Sequence, residues 1–261
     1  MIGALRDITA VASGGIVGFS LGLIGGGGSV LAVPLLVYVV GMPSVHAAIG
    51  TSAVAVTTSA ALSLAGHAYA RNVRWSCAIV FAIAGMLGAA GGAQLGKMVD
   101  GTRLLSLFGL LMIVIGLSML RPRTTASDAD VRLDRSTIAR LLPFLIGIGF
   151  LVGLLSGFFG IGGGFLVVPG LIGATAMPLL DAVGSSLVSV TAFGATTATS
   201  YALSDLVDWK IAGLFVLGGT LGGAAGLFAA RRLGGRKRAL NYVFAAIVIS
   251  TGLYVIARSL I

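Results

Sequence analysis

The sequence predicts an all-α integral membrane protein made of two homologous repeats of about five apolar segments each, with glycine-rich breaks in its helices. Three observations carry that expectation. Hydrophobic residues make up 57% of the 261 and charged residues 10%, and the mean hydropathy is +1.07, far from the balance of a soluble globular domain. The apolar blocks approach the roughly twenty residues that cross a hydrocarbon core of about 30 Å, and the charges fall between them. A shift of 135 places then lays the second half of the chain on the first.

In chain order the apolar segments are 8–24, 30–40, 47–66, 76–96 and 104–120, then 138–159, 165–176, 182–203, 211–230 and 240–257. Helices are expected because backbone N–H and C=O groups in lipid must bond internally. The first segment is read as a retained span, since no small-residue cleavage site leads from it into a soluble domain. The second segment of each half is too short to span straight at a rise of about 1.5 Å per residue. Residues 121–137, "RPRTTASDADVRLDRST", are polar and lack an apolar period, which makes them a linker or surface loop. The organisation is therefore repeat 1 (1–120), linker (121–137) and repeat 2 (138–261).

The repeat is plainest where "GFSLGLIGGGGSVLAVP" (18–34) meets "GLLSGFFGIGGGFLVVP" (153–169), with eight of seventeen positions identical. Met42-Pro43 meets Met177-Pro178, and after one dropped residue "AIGTSAVAVT" (48–57) lies on "AVGSSLVSVT" (182–191). Trp75 then meets Trp209, the glycines 85, 88 and 92 meet 219, 222 and 226, and Lys97 meets Arg231.

An odd number of crossings per half inverts the second copy and an even number leaves it parallel. With five crossings, twelve of the seventeen Lys and Arg residues gather on one side: Arg71, Arg74, the arginines of the linker with Arg140, and the cluster from Arg231 to Arg238. With four, the division is ten to seven. The positive-inside rule favours five, hence an inverted repeat with both termini outside the cytoplasm. This topology also accounts for the net charge of +9; no soluble basic domain exists to carry a nucleic-acid partner.

A glycine-rich break followed by a short segment and a proline points to a discontinuous helix at membrane depth, where irregular backbone must line a cavity or be buried in protein. Half-helix amino termini offer N–H groups and partial positive charge to an anion. Gly25, Gly27, Gly28 and Ser29 in the first copy, and Gly160, Gly162, Gly163 and Gly164 in the second, are the candidate backbone ligands. Gly85, Gly88 and Gly92 and their partners are read instead as close-packing positions. The recurring hydroxyls of "GTS" (Thr51, Ser52) and "GSS" (Ser185, Ser186) can donate to an oxyanion; alternatively they bond back to helix carbonyls.

The pattern GxxGxGGGxxxVP, strict in "GFFGIGGGFLVVP" and varied in the first copy, followed by GTS or GSS and then by "VDW", resembles the sulfite exporter TauE/SafE family of membrane permeases over nearly the whole chain. The resemblance implies a two-repeat membrane fold that moves sulfite, organosulfonates or related small anions, mostly across bacterial cytoplasmic membranes. It singles out Gly25, Gly27, Gly28, Pro34, Thr51 and Ser52, and Gly160, Gly162, Gly163, Gly164, Pro169, Ser185 and Ser186. The chain departs from the family in "VRWS" (73–76), where Arg74 replaces the aspartate of "VDWK" (207–210). Arg71 and Arg74 could form an anion funnel or serve as topology signals.

His46 and Asp181 occupy equivalent positions near helix starts, where Asp181 complements the helix dipole. His67 ends the third segment, and either histidine could couple transport to protons. The lone Cys77 permits no intrachain disulfide and is read as packing. The eight acidic residues are all aspartate, so no HExxH zinc motif exists, and "GGGGS" lacks a P-loop lysine. No enzyme activity, cofactor or metal is expected. The expected function is alternating-access transport of a small anion such as sulfite or an organosulfonate, by export; the alternative is an uptake carrier or channel for another small anion such as a carboxylate or thiosulfate. The partners are that anion and the lipid bilayer, and a homo-oligomer is compatible with the sequence.

Overall fold

The computed structural model describes residues 2–24, 26–69, 73–120, 138–232 and 237–259. Gly25, Arg71 and the linker 121–137 lie outside them. The described residues form α1 (Ile2–Ile24), a 3-10 helix (Gly26–Leu31), α2 (Ala32–Tyr38), α3 (Val45–Tyr69), α4 (Trp75–Met98), α5 (Gly101–Leu120), α6 (Ile138–Phe159), α7 (Gly164–Thr175), α8 (Leu179–Ala202), α9 (Trp209–Arg232) and α10 (Lys237–Ser259). Six of these helices are long and apolar enough to cross a membrane, and Gly28–Tyr38 and Gly164–Thr175 are shorter apolar helices. Each predicted segment is found, with ends that extend by up to six residues because the first and last helical turns carry polar and charged residues outside the apolar window.

Glycine sets which helices meet. A Cβ at Gly14 or Gly18 of α1 would overlap the backbone of Phe215 or Gly219 in α9, and one at Gly149 or Gly153 of α6 would overlap Phe81 or Gly85 in α4. Gly222 of α9 faces the Gly15 carbonyl as Gly88 of α4 faces that of Phe150. Each pair thus joins a helix of one repeat to a helix of the other, position for position. Close approach of backbones replaces the hydrophobic driving force that lipid does not supply. The expectation that Gly85, Gly88, Gly92, Gly219 and Gly222 are packing residues agrees with these contacts.

The same contacts give direction. Residue numbers rise together along α1 and α9, and along α4 and α6. α3 runs with α9, since Gly50 faces Leu206 and Ser59 faces Gly219; α8 runs with α4, since Arg74 bonds Ser185 and Lys97 bonds Ser200. α1 and α3 therefore point the same way, as do α6 and α8, and the short segments between them carry the chain back. α3 and α8 oppose each other, Gly50 lying against Tyr201 and Thr57 against Gly194. α5 and α10 do too, with Ser106 bonded to Ser259 at 2.8 Å. The start of α1 and the end of α10 lie at one end of the molecule.

Large apolar side chains point outward as well as inward: Ile83, Leu87, Leu151, Leu217, Leu221 and Leu253 are exposed. Lipid solvates them at no cost, so the inside-out contrast of a soluble protein is absent. Trp75 and Trp209 are also exposed, at the starts of the oppositely directed α4 and α9, where amphipathic rings suit the two membrane interfaces.

Candidate functional site

The second break is a turn rather than a helix. Gly160, Gly162 and Gly163 take φ of +67°, +66° and +73°, left-handed values that glycine adopts without the steric penalty of a Cβ. Between them the side chain of Ile161 is buried, and the flanking glycines supply the reversal that turns it inward. A Cβ at Gly160 would overlap Ile49, and one at Gly162 would stand 2.7 Å from Val56 and 3.7 Å from Val190. Val56 and Val190 lie within one residue of the midpoints of α3 and α8, so the amino terminus of α7 lies at about half the height of these helices. Gly163 caps α7, and its carbonyl accepts from Leu166 and Val167; the N–H groups of Gly164 and Phe165 are first-turn donors without an intrahelical acceptor.

The first break differs. Gly27, Gly28 and Ser29 lie in the 3-10 helix Gly26–Leu31, where bonds to the third residue keep the chain wound with a rise of about 2.0 Å per residue. Gly28 packs on α1, where a Cβ would stand 2.5 Å from Leu21 N, and Ser29 is buried. The sequence differs at the matching place: Gly26 stands where the second copy has Ile161, leaving no side chain to anchor an inward turn.

The four recurring hydroxyls are buried. Thr51 Oγ1 accepts from the N–H of Asp208 at 3.0 Å, and Ser185 Oγ accepts from the N–H of Arg74 at 2.8 Å. These bonds occupy equivalent places, each satisfying a donor at the start of α9 or α4. Ser52 Oγ donates to Ile49 O at 2.8 Å with Gly160 O at 3.2 Å, and Ser186 Oγ donates to Val183 O at 2.7 Å. Ser52 thereby fastens α3 of the first repeat to the break of the second.

Arg74 and Asp181, from opposite repeats, meet: Arg74 Nε donates to Asp181 Oδ2 at 2.8 Å. Asp181 sits in the first turn of α8 and holds the guanidinium as well as facing the helix dipole. Asp208, the counterpart of Arg74 in the second repeat, pairs with Arg6 at 3.7 Å, beside Lys210 and Asp7 at 2.6 Å. His46 lies in the first turn of α3 and His67 in the last, roughly 30 Å apart along the helix, so they do not form one relay. Cys77 is buried.

Two side chains near the second break were absent from the sequence-derived set. Ser156 and Ser189 are fully buried, and neither hydroxyl has a hydrogen-bond partner among the described residues. The signal was present in the repeat, where their counterparts are Leu21 and Ala55.

Residues 10–255 match the family model described as Sulfite exporter TauE/SafE. The chain belongs to this family. A protein of Xylella fastidiosa (strain 9a5c) named "Probable membrane transporter protein" is 52% identical over 252 residues, covering 97% of this chain and 95% of its own. "Probable membrane transporter protein YunE" of Bacillus subtilis (strain 168) is 28% identical over 243 residues, covering 87% and 89%. "Probable membrane transporter protein MJ0441" of Methanocaldococcus jannaschii is 31% identical over 181 residues, covering 66% and 65%. No solved structure matches. As a TauE/SafE family member with this helix set, the chain is a multi-pass membrane transporter and not an enzyme.

Proposed function

We propose that this TauE/SafE protein exports a small anion, such as sulfite or an organosulfonate, by alternating access between two inverted repeats, residues 1–120 and 138–261. The observation that carries the anion is the amino terminus of α7, placed by three left-handed glycines against the middle of α3 and α8. It presents N–H donors and positive partial charge without a cationic side chain in the lipid. The opposed directions of α3 and α8, and of α5 and α10, support inversion: helices that pair with their own counterpart across a two-fold axis in the membrane plane run antiparallel. The glycine-packed pairs α1 with α9 and α4 with α6 supply two stiff arms, each drawn from both repeats, that can rock about the site. A negative cell interior drives anion efflux, worth about 2.3 kcal/mol per charge for each 100 mV.

The test is twofold. Purified protein is melted against sulfite, sulfate, thiosulfate, sulfoacetate, taurine, lactate and chloride at equal ionic strength, where a ligand at a hundred times its Kd adds about 2.7 kcal/mol. Flux of any stabilising anion is then followed in proteoliposomes for the native chain and Gly162→Val. Selective stabilisation by sulfite or a sulfonate, with flux lost in Gly162→Val, is the expected result; stabilisation by lactate alone would replace this substrate class with carboxylates, and normal flux in the variant would remove the break from the mechanism.

A further inference from the structure

The two breaks are related by the repeat but do not carry the same chemistry. Gly28 and Gly163 are counterparts, and each presses on the residue seven positions before it: Gly28 on the backbone of Leu21, Gly163 on the side chain of Ser156. A Cβ at Gly163 would stand 2.9 Å from Ser156 Oγ and 3.0 Å from Ser156 Cβ. The Ser156 side chain, hydroxyl included, therefore lies against the residue that caps α7, immediately before its first-turn donors. Serine and threonine hydroxyls inside apolar helices ordinarily bond back to a carbonyl three or four residues earlier. Thr57, Thr175, Thr191 and Thr196 do so here; Ser156, with 0% exposure, does not. A buried hydroxyl without a partner is costly, and Ser189 carries the same cost on α8, beside the Val190 that packs on Gly162. The first repeat avoids both with Leu21 and Ala55.

We propose that the transported anion is held at one break only, the α6–α7 break, and that Ser156 Oγ donates to it alongside the first-turn N–H groups of α7, while the first break closes the cavity without binding charge. This rests on the anion-transporter reading and adds to it an asymmetric site with a named side-chain donor. The ligand class is a small oxyanion, sulfite-like or sulfonate, whose oxygens can accept from two backbone N–H groups and one hydroxyl together.

The experiment titrates sodium sulfite and sodium sulfoacetate, without oxygen, into the purified full-length native chain, Ser156→Ala, Ser156→Thr and Leu21→Ala, and melts each protein without anion. In Ser156→Ala, affinity is expected to fall roughly ten- to hundredfold, the range for a hydrogen bond to a charged group, while the anion-free melting temperature holds or rises because an unpartnered hydroxyl is gone. Ser156→Thr should restore binding, and Leu21→Ala should leave affinity within about threefold of native. If the native chain binds and Ser156→Ala binds equally, the assignment of Ser156 falls and the anion reading stands. Equal weakening in Leu21→Ala would overturn the one-sided site. A native chain that binds neither anion overturns this proposal and the oxyanion reading together, and a loss of anion-free stability in Ser156→Ala would reduce Ser156 to a packing residue.

Discussion

Gly88 and Gly91 lie three residues apart on α4, and alanine at the two positions should have opposite consequences. A Cβ at Gly88 would overlap the Phe150 carbonyl and approach Leu154 N at 2.8 Å, whereas a Cβ at Gly91 meets nothing within 4 Å. The obstacle at Gly88 is backbone, which no rotamer change can move aside, so α4 and α6 must separate by roughly an ångström to restore carbon contact distances. Overpacking of this kind costs typically about 1–3 kcal/mol. The gain in helix propensity from glycine to alanine, up to about 1 kcal/mol, is common to both positions and cancels in their difference. Gly88→Ala is therefore expected to be less stable than Gly91→Ala by about 1–3 kcal/mol, read from equilibrium unfolding in mixed micelles. Because α6 ends at Phe159, next to the break, the same separation should slow transport in Gly88→Ala and leave Gly91→Ala near native. Equal stability of the two variants would refute the claim that backbone contact at glycine holds α4 to α6.

Further expectations concern the hydroxyls, the ion pair and the termini. Thr51→Val and Ser185→Ala should each cost about 1–3 kcal/mol in the same assay, the penalty for stranding the N–H of Asp208 or Arg74; a neutral outcome in both would show that these hydroxyls do not fix the starts of α9 and α4. For Arg74 and Asp181, with side chains 31% and 17% exposed, a double-mutant cycle of Arg74→Gln and Asp181→Asn should give a coupling of up to about 1 kcal/mol that falls with salt, and a coupling of zero would mean the pair is incidental. Tags at the two ends should be accessible from the same side, the periplasm, and a cytoplasmic tag at either end would contradict the five-segment topology. Cys77, the lone thiol, should resist maleimide until the protein unfolds; ready labelling would contradict its burial.

Hydropathy, length and the internal repeat were sufficient to determine an all-α membrane protein, its two-copy plan and the α-helices among the described residues, because lipid leaves the backbone one economical solution and the apolar windows record it; the 3-10 helix Gly26–Leu31 was not among the predicted segments. Gly85, Gly88 and Gly92 of α4 and Gly219 and Gly222 of α9 were legible as packing residues from their spacing alone. The sequence also marked the breaks and the recurring hydroxyls, but their division of labour depends on partners more than a hundred residues away. Thr51 and Ser185 look like free donors in the chain; folding places the N–H groups of Asp208 and Arg74 against them. Gly162 and Gly27 are counterparts in the repeat, yet one takes a left-handed turn and the other lies in a 3-10 helix, because Ile161 has a side chain to bury and Gly26 has none. Ser156 is an ordinary small residue in a helix until α7 folds back on it. Composition and period specify what dissolves in the membrane; only the packing of the two halves decides which polar atoms are already satisfied and which one faces the amino terminus of α7.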